Sequence, residues 1–141
     1  MNKLSLLYPV FALAGWTGLV LLLIPIVRVR AGLRQQIVPD DFKYGESASV
    51  PAHVRLPNRN YMNLLELPVL FYVVSLLLYV TDGASAPALG LAWTYVALRV
   101  AHSLIHLSYN HVIHRLVAFA TSNVVLVALW VCAALHVAAR A

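Results

Sequence analysis

Four long stretches of this 141-residue chain carry no charged side chain, and that pattern decides its class. Leu4–Val27 is uncharged, Leu67–Thr81 is apolar apart from hydroxyls, and Ala86–Leu98 and Leu116–Ala139 read the same way. With its flanks, each stretch reaches the roughly 20 residues a helix needs to cross ~30 Å of hydrocarbon. The apolar positions run continuously instead of in the stripes of a soluble surface helix. The pattern therefore predicts an all-α membrane protein, a bundle of four transmembrane helices forming a single domain over residues 1–141. Helix one is expected over Leu4–Ala31 with a kink at Pro25, and helix two over Asn58–Val80. Helix three is expected over Ala88–Tyr109 and helix four over Arg115–Ala139. Gln35–Pro57, with Pro39, Gly45, Pro51 and Pro57, reads as an irregular polar connection, and Thr81–Pro87 as a tight turn. The first apolar run is too long for a signal-peptide core and lacks a clear small-x-small cleavage site, so it reads as a retained helix.

Composition agrees: 62% of residues are hydrophobic and 11% charged, where a soluble domain carries about a quarter charged. The net charge of +5 invites a nucleic-acid reading, which the distribution excludes. Arg28, Arg30, Arg34, Lys43, Arg55 and Arg59 fall in or beside the first connection and Arg115 at the start of the last helix, whereas the other side has Lys3, Asp82 and Arg140. That asymmetry places loops one and three in the cytoplasm and both termini outside; in a bacterium the membrane would be the inner one. Cys132 is the single cysteine, so no disulfide within the chain is possible, and its apolar surroundings predict an inert buried thiol.

Candidate chemistry comes from polar residues inside the spans, where a charge costs ~2.5–3.5 kcal/mol unless paired or hydrated. Arg59, Asn63 and Glu66 fall within about 60° of one another on helix two. Arg99, His102, Ser103, His106 and Asn110 form a stripe about 100° wide on helix three. Facing each other, the stripes would line a polar cleft with the first-loop arginines and Arg115 at its mouth. A structural Glu66–Arg99 ion pair with histidines held by helix–helix hydrogen bonds is the competing reading. The cleft suits an anion near a nucleophile: arginines recognise carboxylates, Glu66 suits an ammonium, and Arg115 near a helix N-terminus suits a thiolate. His102 and His106 have zinc-compatible spacing, but there is no HExxH and no nearby cysteine, and Arg99 would repel a cation; no metal is expected.

Arg59-Asn60-Tyr61-Met62-Asn63-Leu64-Leu65-Glu66-Leu67-Pro68 resembles the Arg-x-x-x-Asn-x-x-Glu signature, followed by proline, of the MAPEG family, the membrane-associated proteins of eicosanoid and glutathione metabolism. Arg99-Val100-Ala101-His102 with Arg115 sixteen residues after Arg99, and Val27-Arg28-Val29-Arg30, are similar to further segments of that family's glutathione transferases and prostaglandin E synthases. The resemblance covers nearly the whole chain. It implies a homotrimer of four-helix bundles with glutathione as cofactor, held between subunits near the cytoplasmic side, and a lipophilic small molecule as substrate. It further implies Arg28 and Arg59 on carboxylates, Asn63 and Glu66 at the γ-glutamyl end, and His102 and His106 lining the pocket alongside Arg99. Arg115 would be the catalytic group, stabilising the thiolate. His106 stands where family enzymes often have tyrosine, and Leu116 where the prostaglandin synthase has serine. The implied activity is a glutathione-dependent transferase or peroxidase; the alternative is a non-catalytic lipid- or ligand-binding membrane protein on the same scaffold. A small transporter is disfavoured by the absence of an inverted repeat.

Overall fold

The computed structural model describes residues 2–140, and the four expected spans are all present. A short 3-10 turn, Lys3–Leu6, leads into α1, Leu7–Leu33. Large apolar residues cover α1 on every side: Leu13, Val20 and Ile24 are buried, while Phe11, Leu19 and Leu22 point outward. A helix apolar all round, with little of it covered by protein, is one that lipid must solvate. Pro25 sits inside α1 without ending it.

The second span differs from the sequence expectation at both its start and its middle. Helix begins at Ala52, six residues before Asn58, as α2 (Ala52–Leu65), and Pro57 is accommodated within it. Val54, Pro57, Asn60 and Leu64 form the buried face of α2. The span then breaks at Glu66, whose ψ of −107° leaves the helical region, and restarts as α3 (Pro68–Val80). Pro68 is the cause: it has no N–H for the Leu64 carbonyl, its ring crowds that carbonyl, and its fixed φ suits the first position of a new helix. The connection before α2 is less irregular than expected. A 3-10 turn, Pro39–Phe42, folds back so that Ile37, Phe42, Val50 and Val54 pack against Val27 and Ala31.

Ser85 caps α4 (Ala86–Leu107) by accepting a hydrogen bond from the Ala88 amide, and α5 (Val112–Ala138) completes the bundle. α4 is the central helix, packing against α1, α2 and α5, with α5 its most extensive neighbour. Its buried stripe changes character along its length. Ala88, Ala92, Tyr95 and Val96 join the apolar core, and Arg99, His102, Ser103 and His106 follow toward the other end. Cys132 is half-buried on α5.

Candidate functional site

α5 packs on α3 in one half of the bundle, but no comparable packing joins it to α2 in the other. The two therefore diverge over α4, leaving a wedge whose floor is the polar half of that helix. The wedge holds an open cavity of about 260 Å³ lined by Asn63 from α2, His102 from α4, and Val112, Arg115, Leu116 and Phe119 from α5. It lies toward the membrane face where the first connection and the α4–α5 turn gather the basic residues.

Arg99 is fully buried at 0% exposure, and its partner is not the expected one. Nη2 donates to the Asn63 backbone carbonyl at 2.7 Å and to Asn63 Oδ1 at 2.8 Å. Glu66 forms no ion pair with it; the Glu66 side chain is exposed and accepts only a long 3.4 Å contact from Asn63 Nδ2. The break in the second span explains the choice. In a continuous helix the Asn63 carbonyl would accept from the amide four residues on; the break frees the carbonyls of the last α2 turn. A guanidinium there satisfies the Asn63 carbonyl and sits at the negative end of the helix dipole. Arg99 is thus the C-terminal cap of α2, and its Cζ also lies 5.6 Å from the centre of the Phe119 ring.

The expected facing of the two stripes holds for α4 and fails for α2. Arg99, His102, Ser103 and His106 all point inward. On α2, however, Arg59 and Glu66 are exposed and Asn63 alone of that stripe reaches α4. Burying Val54, Pro57 and Leu64 rotates the charged pair outward and turns Asn60 inward, where it donates to Ser103 Oγ. Asn60 was not among the sequence candidates; its signal was its place one helical turn before Leu64 on the apolar face.

His102 Nδ1 lies 3.0 Å from the Arg115 carbonyl. A carbonyl only accepts, so Nδ1 carries a proton, and Nε2 is left without a partner. His106 meets His102 edge-on, with centroids 5.9 Å apart. Arg115 is half-buried in the first turn of α5, with Nη1 donating to Asn110 Oδ1. Arg28 lies outside the cavity, bound to Glu46 at 3.0 Å and stacked over Phe42 at 4.3 Å. Among the described residues there is no group of three histidine, cysteine or acidic side chains placed to share a metal ion.

The site carries an excess of unused polar atoms. Arg99 Nε and Nη1, Arg115 Nε, Asn60 Oδ1, His102 Nε2 and His106 Nδ1 are all buried without a hydrogen-bond partner. Buried polar groups are nearly always satisfied; of these atoms, His102 Nε2 and Arg115 Nε belong to residues that line the cavity, while Arg99, Asn60 and His106 are packed outside its lining. The family model described as the MAPEG family matches residues 6–135, nearly the whole chain, and the chain belongs to that family. No curated protein and no solved structure matches it.

Proposed function

We propose that this protein binds glutathione in the wedge between α2, α4 and α5 and holds its sulfur as a thiolate beside Arg115. Family membership associates the chain with glutathione and eicosanoid metabolism; the finer reading is carried by the surplus of buried donors. Arg99 Nε and Nη1 and Arg115 Nε are buried without a hydrogen-bond partner, and neither arginine forms an ion pair with a carboxylate among the described residues. Glutathione has two carboxylates, one ammonium and one thiol, and the residues present fit it. The exposed Arg59 suits a carboxylate and Glu66 the ammonium, and His102 lines the cavity with Nε2 unpartnered. Arg28 keeps Glu46 as its partner, so Arg59 takes the carboxylate role here.

When bound, glutathione supplies a sulfur nucleophile for a lipophilic electrophile or hydroperoxide. The chain's own contribution is electrostatic and steric. Lowering a thiol pKa by two units takes about 2.7 kcal/mol, and a guanidinium at ~4 Å offers roughly 4 kcal/mol at an effective dielectric of 20. Arg115 is therefore sufficient alone. Val112 and Leu116, both exposed at the wedge mouth, and Phe119 form an apolar wall for a reactant arriving from the bilayer. The basic face is taken as cytoplasmic.

The homotrimer belongs to the same proposal. Drug-sized ligands occupy pockets of about 300–1,000 Å³ that bury most of their surface, and one chain offers an open cavity of about 260 Å³. Arg59, Met62, Leu65 and Glu66 are exposed on a spanning segment. Charges there need a partner or water, and a second copy would cover them while closing the site. The test is calorimetric titration of the detergent-purified protein with glutathione, comparing wild type with Arg59→Ala and Glu66→Gln. Binding weakened in both variants is expected, and unchanged heats in all three proteins would remove glutathione. Binding without turnover across a broad electrophile panel would leave a non-catalytic binding protein.

A further inference from the structure

We propose that Asn110 is a positioning residue for Arg115, anchoring one edge of its guanidinium so that the opposite edge faces the cavity. What that edge does there rests on the glutathione reading above. Asn110 lies between α4 and α5 with φ of +50°, and its amide donates to the Ile105 carbonyl at 2.8 Å. It thereby closes α4 in a left-handed conformation, a place glycine fills with least strain. A side chain there has a further use. Asn110 Oδ1 accepts from Arg115 Nη1, while Arg115 Nε stays buried and unpartnered.

A guanidinium is a planar fork, and tying Nη1 orients the Nε–Nη2 edge, the one suited to side-on recognition of an anion. His102 Nδ1–H fixes the other end by bonding the Arg115 carbonyl. The arginine is thus held at both backbone and tip before any ligand arrives. The asparagine closing α4 and the arginine in the first turn of α5 form one device across the turn.

Two variants of the full-length, detergent-purified protein separate the functions of Asn110. Asn110→Gly keeps the left-handed backbone and removes the acceptor; Asn110→Asp keeps an acceptor and adds a charge against the guanidinium. Nitrogen-15 spectra of the Arg115 Nε–H group, assigned by its loss in Arg115→Lys, read positioning without any ligand. The signal is expected to be resolved and slow to exchange in wild type and Asn110→Asp, and averaged in Asn110→Gly. Ultraviolet absorption of bound glutathione reads the consequence: below the thiol pKa, the thiolate fraction is expected to fall about tenfold in Asn110→Gly, one pKa unit, and to fall in Asn110→Asp as well. An Arg115 signal unchanged in Asn110→Gly overturns the proposal. An altered signal with no thiolate even in wild type upholds positioning and removes the glutathione reading.

Discussion

Replacing Asn63 with alanine tests whether Arg99 is a helix cap with no carboxylate partner. The substitution keeps the Asn63 backbone carbonyl, 2.7 Å from Nη2, and removes Oδ1 at 2.8 Å. Hydrogen bonds to charged groups contribute about 1.5–3 kcal/mol, and a fully buried cation cannot recover the loss from water. Asn63→Ala should therefore destabilise the folded state by about 1.5–3 kcal/mol. Arg99→Met loses both bonds, but it also removes the burial of a charge, worth ~2.5–3.5 kcal/mol on insertion scales. The two effects oppose, so Arg99→Met should be no more damaging than Asn63→Ala although it deletes more contacts. In the double variant the Asn63→Ala penalty should largely vanish, a coupling the four-protein cycle isolates. The assay is reversible unfolding of the detergent-solubilised protein followed by near-ultraviolet circular dichroism. Asn63→Ala within about 0.5 kcal/mol of wild type, the range of ordinary surface substitutions, would refute the capping argument. So would equal Asn63→Ala penalties with and without Arg99.

Other consequences can be checked separately. Arg115→Ala should reduce glutathione conjugation by about tenfold to a thousandfold, the span allowed by ~1.4–4 kcal/mol of thiolate stabilisation, with binding largely retained in titration calorimetry. Gly83→Ala would bring a Cβ to 2.8 Å from both His136 Cδ2 and Leu78 Cδ2. His136 must then shift from the Thr81 carbonyl it contacts at 3.0 Å, at a stability loss of about 1 kcal/mol measurable by the same unfolding assay. Lys3, at 2.8 Å from Asp82, holds that carboxyl below its ordinary pKa through hydrogen bond and charge. A depressed carboxylate stabilises above its unfolded pKa and loses that contribution as pH falls through the folded value. Thermal unfolding of Asp82→Asn should thus differ from wild type at neutral pH and converge with it in acid.

Membership of the bilayer and the number of spans were legible in the chain because they depend on run length and transfer free energy, both summed locally. The inward stripe on α4 was also legible: Arg99, His102, Ser103 and His106 share one helical face, and that face had nowhere else to go in a bundle whose other surfaces meet lipid. The second span was harder. Its Arg59, Asn63 and Glu66 share a face too, yet the apolar residues Val54, Pro57 and Leu64 compete for the interior, and the rotation that wins carries Arg59 and Glu66 outward. No local count decides such a competition.

The break before Pro68 was likewise written in the sequence as a proline, but its consequence required three dimensions. Only when α4 lies beside the end of α2 does the freed Asn63 carbonyl find Arg99, displacing the Glu66 pairing that charge alone suggested. Asn110, which the sequence placed at the end of the helix-three stripe, instead closes α4 in a left-handed conformation and accepts from Arg115 five residues on. Hydrophobic length is a property each segment carries by itself, and so the chain alone determined which parts cross the membrane. Hydrogen-bond partnership requires two segments to meet at a fixed rotation and depth, and so the packed bundle alone decided which polar atoms are satisfied and which stand open in the wedge.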